Sequence, residues 1–117
     1  YDSKLGKLRS MSSLAGMLGI SSSGEEMYEE EVSVATGDRI LLYTDGVTET
    51  FNSFGEEYGN SRLEKFFVSN RLLEEKQLEA KLMEELNTFK SGSFRDDICL
   101  LDIGIRAHSS FLGWRKT

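Results

Sequence analysis

Two amphipathic helices are predicted by the spacing of apolar residues in the second half of the chain. The apolar stripe of the first consists of Leu63, Phe66 and Phe67. Either Asn60 or Ser61 is placed to cap it. A second stripe runs from about residue 75 to residue 90 and consists of Leu78, Leu82, Leu86 and Phe89, with charged residues on the opposite face. Both stripes predict packing against a sheet, and neither implies a cofactor.

Strands are predicted on either side of these helices. Residues 39–44 form a nearly unbroken apolar and β-branched run, which is typical of a strand buried on both faces. Residues 98–105 form a second strongly apolar run. Alternation over residues 27–35 indicates a half-buried strand followed by a tight turn at residues 36–38, and residues 1–20 favour short strands joined by turns.

Composition limits the possible functions of the chain. With 117 residues it is expected to form one domain or less, and its net charge of −6 argues against a nucleic-acid surface. No apolar stretch approaches the roughly 18 residues of a membrane span, so we expect no membrane contact by this segment and a cytoplasmic location. A parent protein anchored through upstream domains stays possible. The acidic residues between positions 25 and 31 are expected to be solvated.

Two residue types that often carry chemistry occur only once. Cys99 lies inside an apolar run and is expected to be a buried structural thiol. The single histidine, His108, falls in a tail of residues 106–117 without clear periodicity, which disfavours a hydrolytic triad. Glycine-rich phosphate loops of the GxxxxGK[ST] or GxGxxG type do not occur.

The candidate chemistry lies at the ends of the two apolar strands. Asp45 and Gly46 directly follow the first strand, where glycine is expected to let the backbone turn sharply, and Asp96 and Asp97 directly precede the second. If the strands are antiparallel neighbours, these carboxylates converge at one edge, where a hard cation such as Mg²⁺ or Mn²⁺ would relieve their repulsion. The alternative is structural, because Asp-Gly is a common turn pair and an aspartate before a strand often only ends a loop.

These residues carry a resemblance to a known family. Residues 37–49 (GDRILLYTDGVTE) resemble the strand and metal-ligand motif of SpoIIE/RsbU-type PPM phosphatases, which are similar to the eukaryotic type 2C enzymes. The resemblance continues in residues 58–63 (YGNSRL), in residues 96–101 (DDICLL) and in residues 16–20 (GMLGI), where Met17 stands in place of the proline of the family element. It covers about residues 1–105.

The resemblance implies an α+β fold: part of a β-sandwich flanked by helices, with an antiparallel sheet and two helices packed on one face. It implies Asp45, Asp96 and Asp97 as metal ligands, with Gly46 as a supporting residue and no further catalytic side chain. It also implies two Mn²⁺ or Mg²⁺ ions that activate a water to hydrolyse phosphoserine or phosphothreonine. The substrate implied is a phosphorylated regulatory protein similar to an anti-sigma-factor antagonist.

One departure from the family pattern concerns the start of the chain. Tyr1 stands where earlier strands, an acidic residue and an Asp-Gly pair of the family would precede, so we expect residues 1–105 to be the C-terminal portion of the phosphatase domain. The chain alone is then expected to bind metal weakly and to be inactive or nearly so. Exposed sheet surface could favour a homodimer. The rival hypothesis is a non-catalytic interaction module derived from a truncated or degenerate phosphatase fold.

Overall fold

A computed structural model of the chain describes residues 1–12 and 30–107. Five elements occur there, and the α+β architecture expected from the sequence is confirmed. In chain order they are β1 (Arg39–Tyr43), α1 (Asp45–Thr48), α2 (Gly59–Ser69), α3 (Glu75–Phe89) and β2 (Leu100–Gly104). His108 and the rest of the tail lie outside the described residues, as do residues 13–29.

The two strands form an antiparallel sheet. Their register runs from the pair Arg39 and Gly104 at one end to the pair Tyr43 and Leu100 at the other. The pairing continues one step beyond the strands, where the N–H of Thr44 donates to the carbonyl of Cys99 at 3.1 Å. The end of β1 therefore lies beside the start of β2.

The helices cover one face of this sheet. Leu41 and Leu100 share that face and pack against the core cluster, whereas Leu42 and Leu101 point the other way and are each 52% exposed. The prediction that the first strand is buried on both faces is therefore wrong for the described residues. The apolar run resembled a central strand because its outward face is also aliphatic.

Both predicted helices are confirmed by their buried stripes. Leu63, Phe66 and Phe67 of α2 are buried, and so are Leu78, Leu82 and Leu86 of α3. The predicted side-chain cap is wrong, because α2 begins at Gly59 and its N-cap residue, Tyr58, makes no capping side-chain bond. Asn60 instead accepts a hydrogen bond from the Tyr43 hydroxyl at 3.0 Å, which ties the helix start to the end of β1.

The segments that precede β1 contain less regular structure than predicted. Residues 1–12 contain a turn closed by a bridge between Asp2 and Lys7, and residues 30–35 form no strand. Residues 27–29 of that predicted strand lie outside the described residues. The turn at residues 36–38 is confirmed, with Gly37 at a φ of 95°, a left-handed value that glycine adopts without a steric penalty.

A buried ion pair fastens the sheet to the connection between α2 and α3. The Arg39 guanidinium donates to both carboxylate oxygens of Asp102, at 3.0 Å and 2.6 Å, and these side chains are 7% and 0% exposed. Its remaining nitrogen donates to the carbonyls of Arg71, at 2.6 Å, and Leu73. The pair therefore joins both strands to the helical layer.

In the described part of the chain, no helix has both the length and the apolar character that crossing a membrane requires.

Candidate functional site

The antiparallel pairing brings the predicted acidic residues to one edge of the sheet. Asp45 follows β1 by two positions and opens α1, while Asp96 and Asp97 lie just before β2. All three are exposed to solvent. The structure thus gathers the residues singled out in the sequence, although their binding of a metal stays a prediction.

Thr44 joins the end of β1 to the loop before β2, and no motif in the sequence had singled it out. Its hydroxyl donates to the carbonyl of Asp97 at 3.1 Å and accepts the N–H of Cys99 at 3.0 Å. The only sequence signal was its position immediately before Asp45. These bonds fix the loop that carries Asp96 and Asp97 against the start of α1.

Gly46 lets this loop and α1 approach closely. A β-carbon at this position would lie 2.3 Å from the carbonyl oxygen of Asp97 and 3.2 Å from that of Asp96. Gly46 lies within helix α1 and does not adopt a positive φ, so the expectation that it permits a sharp turn is wrong. The reason for glycine here is space, because a side chain would collide with the backbone opposite.

Cys99 also differs from its predicted role. Its thiol is free and the residue is exposed, because it lies in the loop before β2 and not inside the strand. The apolar neighbours of Cys99 predicted a position inside the strand, whereas Cys99 lies one residue before the start of β2.

A cationic side chain borders the end of the sheet that carries Asp45, Asp96 and Asp97, here called the acidic edge. The guanidinium carbon of Arg95, the residue before Asp96, lies 3.9 Å from the centroid of the Phe51 ring. Phe51 is itself held in place, since its carbonyl accepts the N–H of Ser91 at 2.9 Å and it pairs with Glu57 in an isolated bridge. This contact was not predicted from the sequence, because the two residues are far apart along the chain.

The carboxylates at this edge are of the type that binds a hard cation, but they are too few to complete its coordination. Within the described ranges no salt bridge involves Asp45, Asp96 or Asp97; Asp96 uses one carboxylate oxygen to accept the N–H of Asp97 at 2.8 Å. Carboxylate oxygens are the donors that Mg²⁺ and Mn²⁺ prefer. However, residues 1–12 and 30–107 contain no group of three or more acidic, histidine or cysteine side chains arranged to hold a metal. These residues could supply only a share of a metal's ligands.

Comparison with known proteins identifies one family. The family model described as stage II sporulation protein E (SpoIIE) matches residues 4–106, most of the chain. Neither the curated proteins nor the solved structures include a significant match to this chain.

Proposed function

The chain belongs to the SpoIIE family, and from that premise we propose that it contributes to a metal-dependent protein serine/threonine phosphatase of the PPM type. The observation that carries the proposal is the pairing of β1 with β2, which puts Asp45 beside Asp96 and Asp97 at an exposed edge. An edge open to solvent can receive a phosphorylated side chain of another protein, which a buried carboxylate pair could not.

In this proposal Asp45, Asp96 and Asp97 supply part of the ligand set of Mn²⁺ or Mg²⁺, and further ligands come from outside the described residues. Bound divalent ions would lower the pKa of a water molecule and neutralise charge on the phosphoryl oxygens. Thr44 and Gly46 position these ligands, because they set how closely the start of α1 approaches the loop that carries Asp96 and Asp97. Hydrolysis by water frees the serine or threonine hydroxyl and inorganic phosphate without a phosphoenzyme.

The proposed substrate is a phosphorylated regulatory protein of the kind represented by anti-sigma-factor antagonists. The family resemblance supports this partner class. The exposed position of the acidic edge is compatible with a protein substrate, because a folded partner can approach it without entering a deep cleft.

Replacing Asp45 by asparagine tests the proposal in the complete gene product. We expect Asp45→Asn to lower Mn²⁺-dependent release of phosphate from p-nitrophenyl phosphate and from a phosphoserine peptide by at least about a hundredfold, since loss of outer-shell partners alone costs 10–100-fold. Glu49→Gln is the matched control, because Glu49 is an exposed carboxylate at the other end of α1. Equal hydrolysis by the wild type and Asp45→Asn would refute the metal assignment.

A second candidate function is a protein-interaction module without catalysis. It is favoured by the exposed aliphatic side chains of Leu42 and Leu101, and by the lack of a three-ligand cluster within the described residues. The same assay separates the two. A complete protein that releases no phosphate with Mn²⁺, yet binds its partner equally well with and without Asp45→Asn, would be an interaction module.

A further inference from the structure

We propose that Arg95 binds the phosphoryl group of the substrate and so distinguishes a phosphorylated segment of a partner protein from an unphosphorylated one. This inference rests on the proposed phosphatase function and adds a substrate-binding residue to it. Three observations support it: the place of Arg95 beside the acidic edge, the aromatic ring beneath its guanidinium, and the charge that a phosphate would meet there.

The first observation is position. Arg95 directly precedes Asp96, so its Cα lies about 3.8 Å from that of a proposed metal ligand. The carbonyls of Asp96 and Asp97 lie against Gly46, which places Arg95 on the loop that borders the start of α1. Arg95 is exposed. A side chain of its length can therefore reach a phosphoryl group held at this edge.

The second observation is orientation. At 3.9 Å from the ring centroid, the Arg95 guanidinium lies over the face of Phe51. A guanidinium in this position keeps its N–H groups free at its edge, where they match the oxygens of a phosphate in a bidentate arrangement. The backbone that carries this ring is anchored, because the Phe51 carbonyl accepts the N–H of Ser91. Stacking reduces the rotamer freedom that Arg95 would lose on binding.

The third observation is charge. A phosphate carries about −1.5 to −2 at pH 7 and would be repelled by Asp45, Asp96 and Asp97. In the described part of the chain, the three salt bridges use Arg39, Arg62 and Arg106, and Arg95 forms no hydrogen bond there. Arg95 is thus a cation at this edge that is not committed to a carboxylate in the described structure, and it can offset the repulsion.

Lys90 provides a matched comparison on the same loop. Its ammonium lies 4.2 Å from the centroid of the Phe94 ring, so it too is a cation on an aromatic face. It lies at the end of α3, six positions before Asp96, and is half-buried. Removing Lys90 changes the net charge as removing Arg95 does, without removing a group next to the acidic edge.

The kinetic test uses the complete gene product with Mn²⁺ and a phosphoserine peptide. We expect Arg95→Ala to raise KM roughly tenfold to hundredfold, the loss of a charge-assisted contact, with a smaller change in kcat. Arg95→Lys should retain part of the affinity, because lysine keeps the positive charge but lacks the paired N–H donors that bind a phosphate in a bidentate arrangement. Phe51→Leu should shift KM in the same direction by less, and Lys90→Ala should leave it within about threefold. Circular dichroism melting checks that each variant is folded.

A binding experiment gives a readout that does not need catalysis. In the Asp45→Asn background, fluorescence anisotropy compares a phosphoserine peptide with its unphosphorylated form. We expect Arg95 to favour the phosphorylated peptide and Arg95→Ala to abolish that preference. The inference is overturned if Arg95→Ala leaves both KM and this preference unchanged, or if Lys90→Ala raises KM and weakens the preference as much as Arg95→Ala does.

The two proposals fail in different ways. A wild-type protein without Mn²⁺-dependent activity contradicts the phosphatase proposal, and the anisotropy comparison then decides whether Arg95 recognises phosphate. An active wild type with an inactive Asp45→Asn variant and an unaffected Arg95→Ala variant supports the phosphatase proposal and rejects the role of Arg95.

Discussion

At the residue scale, the acidic edge depends on how closely two backbone segments approach at Gly46. The hydrogen bonds of Thr44 hold the loop before β2 at this distance. Glycine is the residue that leaves room for the Asp97 carbonyl. The proposed metal ligands are therefore positioned by Thr44 and Gly46, which add no carboxylate of their own.

Replacing Gly46 by alanine should push the start of α1, with Asp45, away from the loop that carries Asp96 and Asp97. We expect Gly46→Ala to lower the free energy of unfolding by about 1–3 kcal/mol, the usual cost of forcing an extra group into a packed site. Alanine is otherwise the better helix former by about 1 kcal/mol, so a net loss would report the collision. Urea denaturation measures it.

Gly104→Ala is the control for this change. A β-carbon there would also lie 2.3 Å from another atom, but that atom is the carboxylate oxygen of Glu75, at the end of a flexible side chain. We expect a loss below about 1 kcal/mol, because displacing the flexible Glu75 side chain disturbs mainly its pair with the exposed Arg106. Equal losses for the two variants would contradict the spatial role of Gly46.

At the element scale, the sheet and the helical layer are joined by the ion pair of Arg39 and Asp102. A charged residue in each apolar strand was visible in the sequence, Arg39 at the start of the first and Asp102 in the middle of the second. Opposite charges in two neighbouring strands are a signal for such a pair. The pair was nevertheless not predicted. The carbonyls of Arg71 and Leu73 complete the hydrogen bonding of the guanidinium, so the pair also fixes the connection between α2 and α3.

Removing one partner of this pair should be costly. We expect Asp102→Ala to lower the free energy of unfolding by about 3–5 kcal/mol, because the buried Arg39 charge loses its counterion. Glu56→Ala breaks the exposed pair with Arg62 and should cost about 0–1 kcal/mol. Thermal melting of both variants measures the difference, and a loss of similar size in each would contradict a special contribution from the buried pair.

At the scale of the whole molecule, one apolar core holds the described elements together. Its buried residues come from α1, from α2 and the residue that precedes it, and from α3. They are Val47, Tyr58, Leu63, Phe66, Phe67, Leu78, Leu82 and Leu86. Burial and a hydrogen bond to Glu85 raise the pKa of the Tyr58 hydroxyl well above its usual range. The start of the chain is attached to this body through Asp38, which accepts hydrogen bonds from the N–H and hydroxyl of Ser3, each at 2.9 Å.

Asp38 should make the stability of the molecule depend on pH. The N–H groups of Ser3 and Ala35 and the Ser3 hydroxyl stabilise its carboxylate and lower its pKa. A carboxyl group with a lowered pKa in the folded state contributes fully above its unfolded pKa of about 3.9, and this contribution is lost as pH falls through the folded value. We expect Asp38→Asn to lower the urea midpoint at pH 7.

The difference between the wild type and Asp38→Asn should narrow as pH falls below about 4, because protonation then removes the same charge from the wild type. Asp2→Asn is the comparison, since it removes a carboxylate from the N-terminal turn, where Asp2 accepts the N–H groups of Lys4 and Leu5. A difference between the wild type and Asp38→Asn that stays constant from pH 7 to pH 3 would contradict the assignment.

The sequence alone determined the features that local periodicity records. Apolar spacing located α2 and α3 and both strands, and the acidic pairs were visible beside the strand ends. Periodicity reports burial relative to near neighbours, which explains why it misjudged the outer face of β1 and the exposure of Cys99.

Only the tertiary structure decided which distant residues meet. Thr44 bonds to Cys99 across 55 positions, and Arg39 bonds to Asp102 across 63. The placement of Arg95 on Phe51 and the space left by Gly46 are of the same kind. Such contacts depend on strand register and on how loops pack. The pattern of neighbouring residues does not determine which residues distant in sequence come into contact.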